Sequence, residues 1–246
     1  MSLDRFALVT GTTSGIGKSV ATALLERGWH VLGAARRTSA INHKAYEHVE
    51  VDLADVASLS RTLEQRLTNL LVDPGLRRVG LVNNAADPGL LGPIAHFDAR
   101  RLGGVFAVNV GAPIWLMGVF IRHTPTATPL RIVNVSSGAA VRGFAGLGAY
   151  GASKAALRMA GMVLAAELDA ADDRRVSILS YEPGTVDTPM QAHARAQTPD
   201  VLPSVELFTG FAAAGRLIPP EAPAQEIAAF LESDGRDRFT ERRFGT

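Results

Sequence analysis

Short apolar, β-branched runs at 6–10, 30–35, 48–51, 79–83, 131–136 and 176–181 alternate with segments of helical periodicity at 16–27, 56–71, 100–121 and 152–170. Runs of that kind read as strands buried on both faces. Strand and helix in alternation require crossovers, which lay helices over both faces of a parallel sheet. The fold class is therefore α/β, a doubly wound parallel sheet, and one domain over 1–246 accounts for nearly everything. With 246 residues, 47% of them hydrophobic, the chain can bury a large core. Past Pro183 the pattern loosens, because Pro189, Pro199, Pro203, Pro219, Pro220 and Pro223 interrupt it and 204–217 has room for a helix or two. Such a segment beyond a strand end suits a substrate lid at about 188–218.

Charge and composition exclude several classes. Lys and Arg number 25 against 24 Asp and Glu, which gives no electrostatic footprint for nucleic acid or an anionic membrane. The absence of cysteine removes disulfides and thiolate chemistry and is compatible with a reducing compartment. The N-terminus runs into its first strand without a signal peptide, and the apolar stretch 105–121 is interrupted by Asn109. These features predict a soluble, cytoplasmic protein.

The first strand leads into Gly11-Thr12-Thr13-Ser14-Gly15-Ile16-Gly17-Lys18-Ser19. A triphosphate P-loop needs a glycine separated by four residues from the glycine of Gly-Lys-Ser, and that position is Thr12. No acidic residue ends a central strand to hold magnesium either, since those strands close on Asn83-Asn84 and Ser136-Ser137. The other reading is a cradle of Gly11, Thr13, Ser14, Gly15, Ile16 and Gly17 for a dinucleotide pyrophosphate, with its charge at the following helix N-terminus. A plain glycine-rich turn would look similar. At the end of the second strand, where an NAD site usually carries an acid, no acidic residue occurs from 27 to 46, and Arg36 and Arg37 stand instead. Arg36 can fork onto a ribose 2′-phosphate, so NADP(H) is preferred and NAD(H) remains possible; a solvated basic turn is the alternative. Asp52 could accept from an adenine amino group while Leu53 packs on the ring, or Asp52 could belong to the cap of the helix that follows.

The chemistry concentrates at Tyr150-Gly151-Ala152-Ser153-Lys154. At i and i+4 the phenol and ammonium share a helix face. An ammonium about 4 Å away at an effective dielectric near 20 is worth roughly 4 kcal/mol, about three pKa units, and would bring the phenol towards neutrality as a general acid or base. Ser137 lies at a strand's C-terminal end, where ligands of open parallel sheets collect, and can anchor a substrate oxygen or cap a loop. Asn109, in an apolar helix, needs partners: a water or carbonyl near Lys154, or internal ones.

Together, Thr10-Gly11-x3-Gly15-Ile16-Gly17, Asp52-Leu53, Asn83-Asn84-Ala85, Asn109, Ser137, Tyr150-x3-Lys154 and Pro183-Gly184 resemble the short-chain dehydrogenase/reductase family in order and spacing over about 5–190. The resemblance implies a Rossmann fold with about seven strands, a nicotinamide cofactor and a catalytic tetrad of Asn109, Ser137, Tyr150 and Lys154. It implies further that Lys154 also bonds the nicotinamide ribose, that Asn83 to Ala85 support the sheet and adenosine ribose, and that Pro183, Gly184, Val186 and Thr188 serve the nicotinamide end. It also implies a homodimer or homotetramer through the long helices bearing Trp115, Ala155, Met159 and Met162. The segment from Tyr181 and the Ala35-Arg36 strand end resemble the NADPH-dependent sepiapterin and benzil reductase branch. Two departures stand out: Ala86 replaces the family's glycine, and the C-terminal residues lack its Val-Asp-Gly-Gly ending.

The expected activity is hydride transfer between nicotinamide and a carbonyl or secondary alcohol. The different-class alternative is a dinucleotide-binding sensor without turnover. Tyr181, Glu182, Phe144, Phe208 and Phe211 are expected to shape the substrate pocket. His193 reads as a solvated loop residue, no histidine and carboxylate cluster has metal-site spacing, and Ser137 lacks the elbow of a serine hydrolase.

Overall fold

A computed structural model describes residues 3–235 and 237–246. Seven parallel strands form one sheet in the order β3-β2-β1-β4-β5-β6-β7. They are β1 (Arg5–Thr10), β2 (His30–Ala35), β3 (Tyr46–Glu50), β4 (Arg78–Asn83), β5 (Leu130–Val135), β6 (Val176–Glu182) and β7 (Phe239–Arg243). The order reverses between β1 and β4, the position at which a doubly wound sheet opens a crevice at its strand C-termini. Nine helical segments surround it among the described residues: α1 (Gly15–Glu26), α2 (Val56–Leu59), α3 (Gln65–Leu71), α4 (Ala99–Phe106), α5 (Ala112–His123), α6 (Gly148–Ala170), α7 (Pro189–Arg195), α8 (Val205–Ala213) and α9 (Glu221–Glu232).

Alternate strand residues divide the core in two. Phe6, Leu8, Leu32, Leu81, Ile132 and Ile178 face α2 to α6, meeting Leu63, Leu67, Leu116, Phe120 and Leu168. Ala7, Val9, Val31, Val133 and Leu179 face α1 and α9, meeting Val20, Leu24, Ile227 and Leu231. Both faces are therefore covered, which explains the unbroken apolar runs in the central strands.

Three elements differ from the pattern. The seventh strand, Phe-Thr-Glu-Arg-Arg, has no apolar run because it is an edge strand, and Arg158 of α6 holds Glu241 beside it. The prolines at 219, 220 and 223 start α9 rather than break a loop: proline at a helix's first positions removes no internal hydrogen bond. The helix over 99–123 is interrupted by a π turn, Ala107–Gly111, with Asn109 inside it. That 25-residue rod is long and apolar enough to cross a membrane by length and composition. Here its buried face packs on the sheet through Leu116, Val119 and Phe120.

Candidate active site

The glycine loop is held from below by the end of β4. Thr10 Oγ accepts the Asn84 and Ala85 amides, both at 3.0 Å, and Asn84 Nδ2 donates to the Thr10 carbonyl at 2.8 Å. A Cβ on Gly17 would lie 2.3 Å from both Asn84 Nδ2 and the Gly11 carbonyl oxygen, so no side chain fits there. Thr10, which opens the glycine motif, thus carries a tie between β1 and β4 that its spacing alone does not reveal. At the start of α1, Ser14 is extended and makes no side-chain cap, and no acidic residue occupies the first turn. The first-turn amides are thus left to an anion from outside the chain, which is the condition a dinucleotide pyrophosphate meets. A cavity of about 550 Å³ opens beside the loop, lined by Thr13, Ser14, Gly15, Lys18, Asp187 and Pro189 among others; Ser137, Tyr150 and Lys154 are not in its wall.

Arg36 and Arg37 are exposed at the end of β2, and Arg37 reaches Thr13 Oγ at 3.3 Å. Asp52 is exposed, accepts the Ala54 amide at 2.9 Å, and leaves the cap of α2 to Asp55. Leu53 is 5% exposed and packs among the core leucines. Asn83 is buried in the sheet, donating to Asn134 Oδ1 at 2.9 Å across β4 and β5, which is the sheet support expected of it. Ala86 keeps a φ outside the left-handed region, where among the described non-glycine residues Asp172 alone is found.

On the far side of the crevice, α6 begins at Gly148, so Tyr150 occupies its first turn and Lys154 the next. Lys154 is 2% exposed; its Nζ donates to the Val135 carbonyl at 2.7 Å and lies 5.7 Å from the Tyr150 ring centre. Ser137, just past β5, accepts the Ala139 amide at 3.2 Å, and its hydroxyl acts to lower the Tyr150 pKa. The expected fall in the Tyr150 pKa is not what this arrangement gives. Burial pushes the phenol up to about 12, with Ser137 acting against it. Burial also pushes the Lys154 ammonium down to about 8. The reason is geometric: the ammonium is turned to a backbone carbonyl, and desolvation outweighs what its charge offers the phenol.

Asn109 turns out to be satisfied internally. Its Oδ1 accepts the Asp87 amide at 2.8 Å, and its Nδ2 donates to the Asp87 carbonyl and to Ser153 Oγ, both at 2.9 Å. Ser153 in turn donates to the Tyr150 carbonyl at 2.7 Å. The π turn therefore aims an amide at the helix that carries the Tyr–Lys pair, and joins it to the loop after β4.

The loop after β6 closes the crevice. Ile218 pairs with Val186, its amide donating to the Thr185 carbonyl and its carbonyl accepting from Asp187, each at 2.9 Å. Pro183 and Gly184 make the turn, Gly184 at φ +76°, and Thr188 caps α7 while its methyl would stand 3.0 Å from a Cβ on Gly15. The nicotinamide-end residues and the glycine loop thus come together. Tyr181 does not line the pocket: it is fully buried against α9, its hydroxyl donating to Glu226 at 2.8 Å. Glu182 is at the rim, beside Gly138, between Arg142 at 3.8 Å and Arg243 at 3.5 Å. Phe144 carries the Arg142 guanidinium at 5.9 Å, Phe208 packs with Leu202 and Leu147, and Phe211 lies under Arg216 at 4.9 Å. His193 is exposed.

A doubly wound sheet with a glycine loop after its first strand and a half-buried tyrosine paired with a buried lysine beside its fifth fits an oxidoreductase that works on a nicotinamide dinucleotide. The chain belongs to the short chain dehydrogenase family, whose model matches residues 5–199. It is 29% identical to a benzil reductase of Bacillus cereus that forms (S)-benzoin, over 94% of this chain and 95% of that one. It is 30% identical to the sepiapterin reductase of Bos taurus, over 92% and 89%. A solved short chain dehydrogenase/reductase from Saccharomyces cerevisiae superposes with a TM-score of 0.83 at 26% identity, covering 98% of this chain and 96% of that one.

Proposed function

We propose that the protein is an NADPH-dependent carbonyl reductase in which Tyr150 is the proton donor to the substrate oxygen. The observation that carries this reading is the half-buried phenol at the head of α6, with the Lys154 ammonium 5.7 Å from its ring: pushed up to about 12 by desolvation, it stays protonated at neutral pH, the state an acid needs at the start of a reduction. Ser137, whose hydroxyl acts on the same phenol, would hold the substrate oxygen as charge develops on it. Lys154, anchored on the Val135 carbonyl, keeps a positive charge beside the ring and so stabilises the tyrosinate left after donation. Asn109 and Ser153 act as positioning residues for this pair. Gly11 to Gly17, Ala85, Val186 and Thr188 would hold the dinucleotide, which when bound supplies the hydride.

Arg36 and Arg37, with no acid from 27 to 46, support NADPH over NADH. The segment 188–218 is read as the lid, and the half-exposed apolar row of Ile114, Met159, Met162 and Val163 on α5 and α6 supports a homo-oligomer. The benzil and sepiapterin reductase relatives favour an aromatic carbonyl substrate. Loss of NADPH absorbance on adding benzil, faster than with NADH, is the expected result. Tight NADPH binding without turnover over a panel of diketones, quinones and pterins would instead mark a sensor.

A further inference from the structure

Outside the catalytic centre, three hydrogen bonds in series join the glycine loop to the end of β2. Thr12 Oγ meets the Tyr46 hydroxyl at 2.9 Å, that hydroxyl meets His48 Nδ1 at 2.9 Å, and His48 Nε2 meets the Arg37 carbonyl at 2.9 Å. Tyr46 and His48 are two residues apart on edge strand β3 and so share a face. They reach across β2 only because Gly33 lies between: a Cβ there would sit 2.1 Å from the Tyr46 hydroxyl oxygen and 2.5 Å from Thr12 Oγ.

The direction of the chain follows from its end. A carbonyl can only accept, so His48 carries its proton on Nε2; in the neutral ring Nδ1 then accepts from Tyr46, and Tyr46 accepts from Thr12. Every proton has one place to go. Arg37 is held a second time by its guanidinium on Thr13, which leaves the Arg36–Arg37 turn fixed to the loop through both backbone and side chain. None of these side chains faces Tyr150 or Ser137, and the catalytic reading does not use them.

We propose that Tyr46 and His48 are positioning residues that set discrimination for a phosphate on the adenosine 2′ oxygen, resting on the NADPH reading above, by fixing the Arg36–Arg37 turn against the glycine loop. An arginine pair on a free turn binds any passing anion; one held at a set distance from the pyrophosphate cradle selects a ligand with both phosphates.

The test is equilibrium binding of 2′,5′-ADP and 5′-AMP to the full-length protein, compared between wild type, Tyr46→Phe and His48→Leu. The wild type is expected to prefer 2′,5′-ADP, and each variant to lose about three- to tenfold of that preference, the effect of one hydrogen bond, with 5′-AMP affinity unchanged. Variants that keep the wild-type ratio overturn the proposal while leaving the NADPH reading intact. Equal loss of both ligands also overturns it, since the chain would then support the loop in general. A wild type that does not distinguish the ligands sinks both readings.

Discussion

The two sides of the crevice are built on different plans. On the glycine-loop side, fit is set by atoms that are missing: Gly17 lies so close to Asn84 and the Gly11 carbonyl that a methyl has no room. On the α6 side, fit is set by polar groups that are present and paired, Lys154 to Val135, Asn109 to Asp87 and Ser153, Ser153 to Tyr150. A site of the first kind fails by crowding and a site of the second by an unpaired group. Binding and chemistry should therefore be separable by mutation.

The largest separation is expected from Tyr150→Phe. Removing the hydroxyl deletes the proton donor but leaves the ring, and general acid catalysis of this kind contributes typically 10²–10⁴-fold. Turnover should fall by about 10³ while NADPH affinity, measured by fluorescence titration, moves less than about twofold. Undiminished reduction by the variant would place the chemistry elsewhere. The opposite break is Gly17→Ala. Overpacking against backbone costs about 3 kcal/mol, read as a lower urea midpoint, and dinucleotide binding should go with it. A variant of wild-type stability and affinity would show the loop to be looser than its contacts imply.

That contrast also explains what could be read from the sequence. Glycine spacing and the Tyr-x-x-x-Lys pair are local, so the loop opening α1 and the shared helix face of Tyr150 and Lys154 were legible, as were six of the seven strands. Long-range pairing is not local. Nothing around Asn109 announces that its amide ends on Asp87 and Ser153, and nothing near Tyr181 says that its hydroxyl meets Glu226. α9 was hidden because its prolines read as breakers, although Ala224, Ile227, Ala228 and Leu231 carry a helix's apolar spacing. The direction of the Tyr150 shift was missed because burial is a property of the assembled fold, and a helical wheel gives proximity but not desolvation.

Burial of Lys154 supplies a sharper test of the α6 side. Its folded pKa is lowered to about 8 from an ordinary 10.5, so between those values the unfolded chain holds more protons and stability must rise with pH. The stability of the wild type relative to Lys154→Met should accordingly increase by about 2 kcal/mol from pH 7.5 to pH 10, measured by urea unfolding at each pH. Tyr150 works in the opposite sense, but only above pH 10, where the unfolded phenol ionises and the folded one, raised to about 12, does not. A difference that stays flat across the range would mean that the ammonium is not desolvated.

The smallest effect distinguishes positioning from chemistry. Ser153 is fully buried, accepts from Asn109 and donates to the Tyr150 carbonyl. Ser153→Ala leaves one Asn109 N–H without a partner, which costs about 1–2 kcal/mol. Since the serine touches the backbone of Tyr150 and not its hydroxyl, the pH at which activity is lost should not move, while kcat drops less than about tenfold as the first turn of α6 loosens. Asn109→Ala should lower stability further, because it strips Asp87 of two partners at once, and the double variant should lose less than the sum, the two residues sharing one bond. Strict additivity would show that the π turn and α6 are not joined through that bond, and that Tyr150 is held in place by the packing of its ring alone.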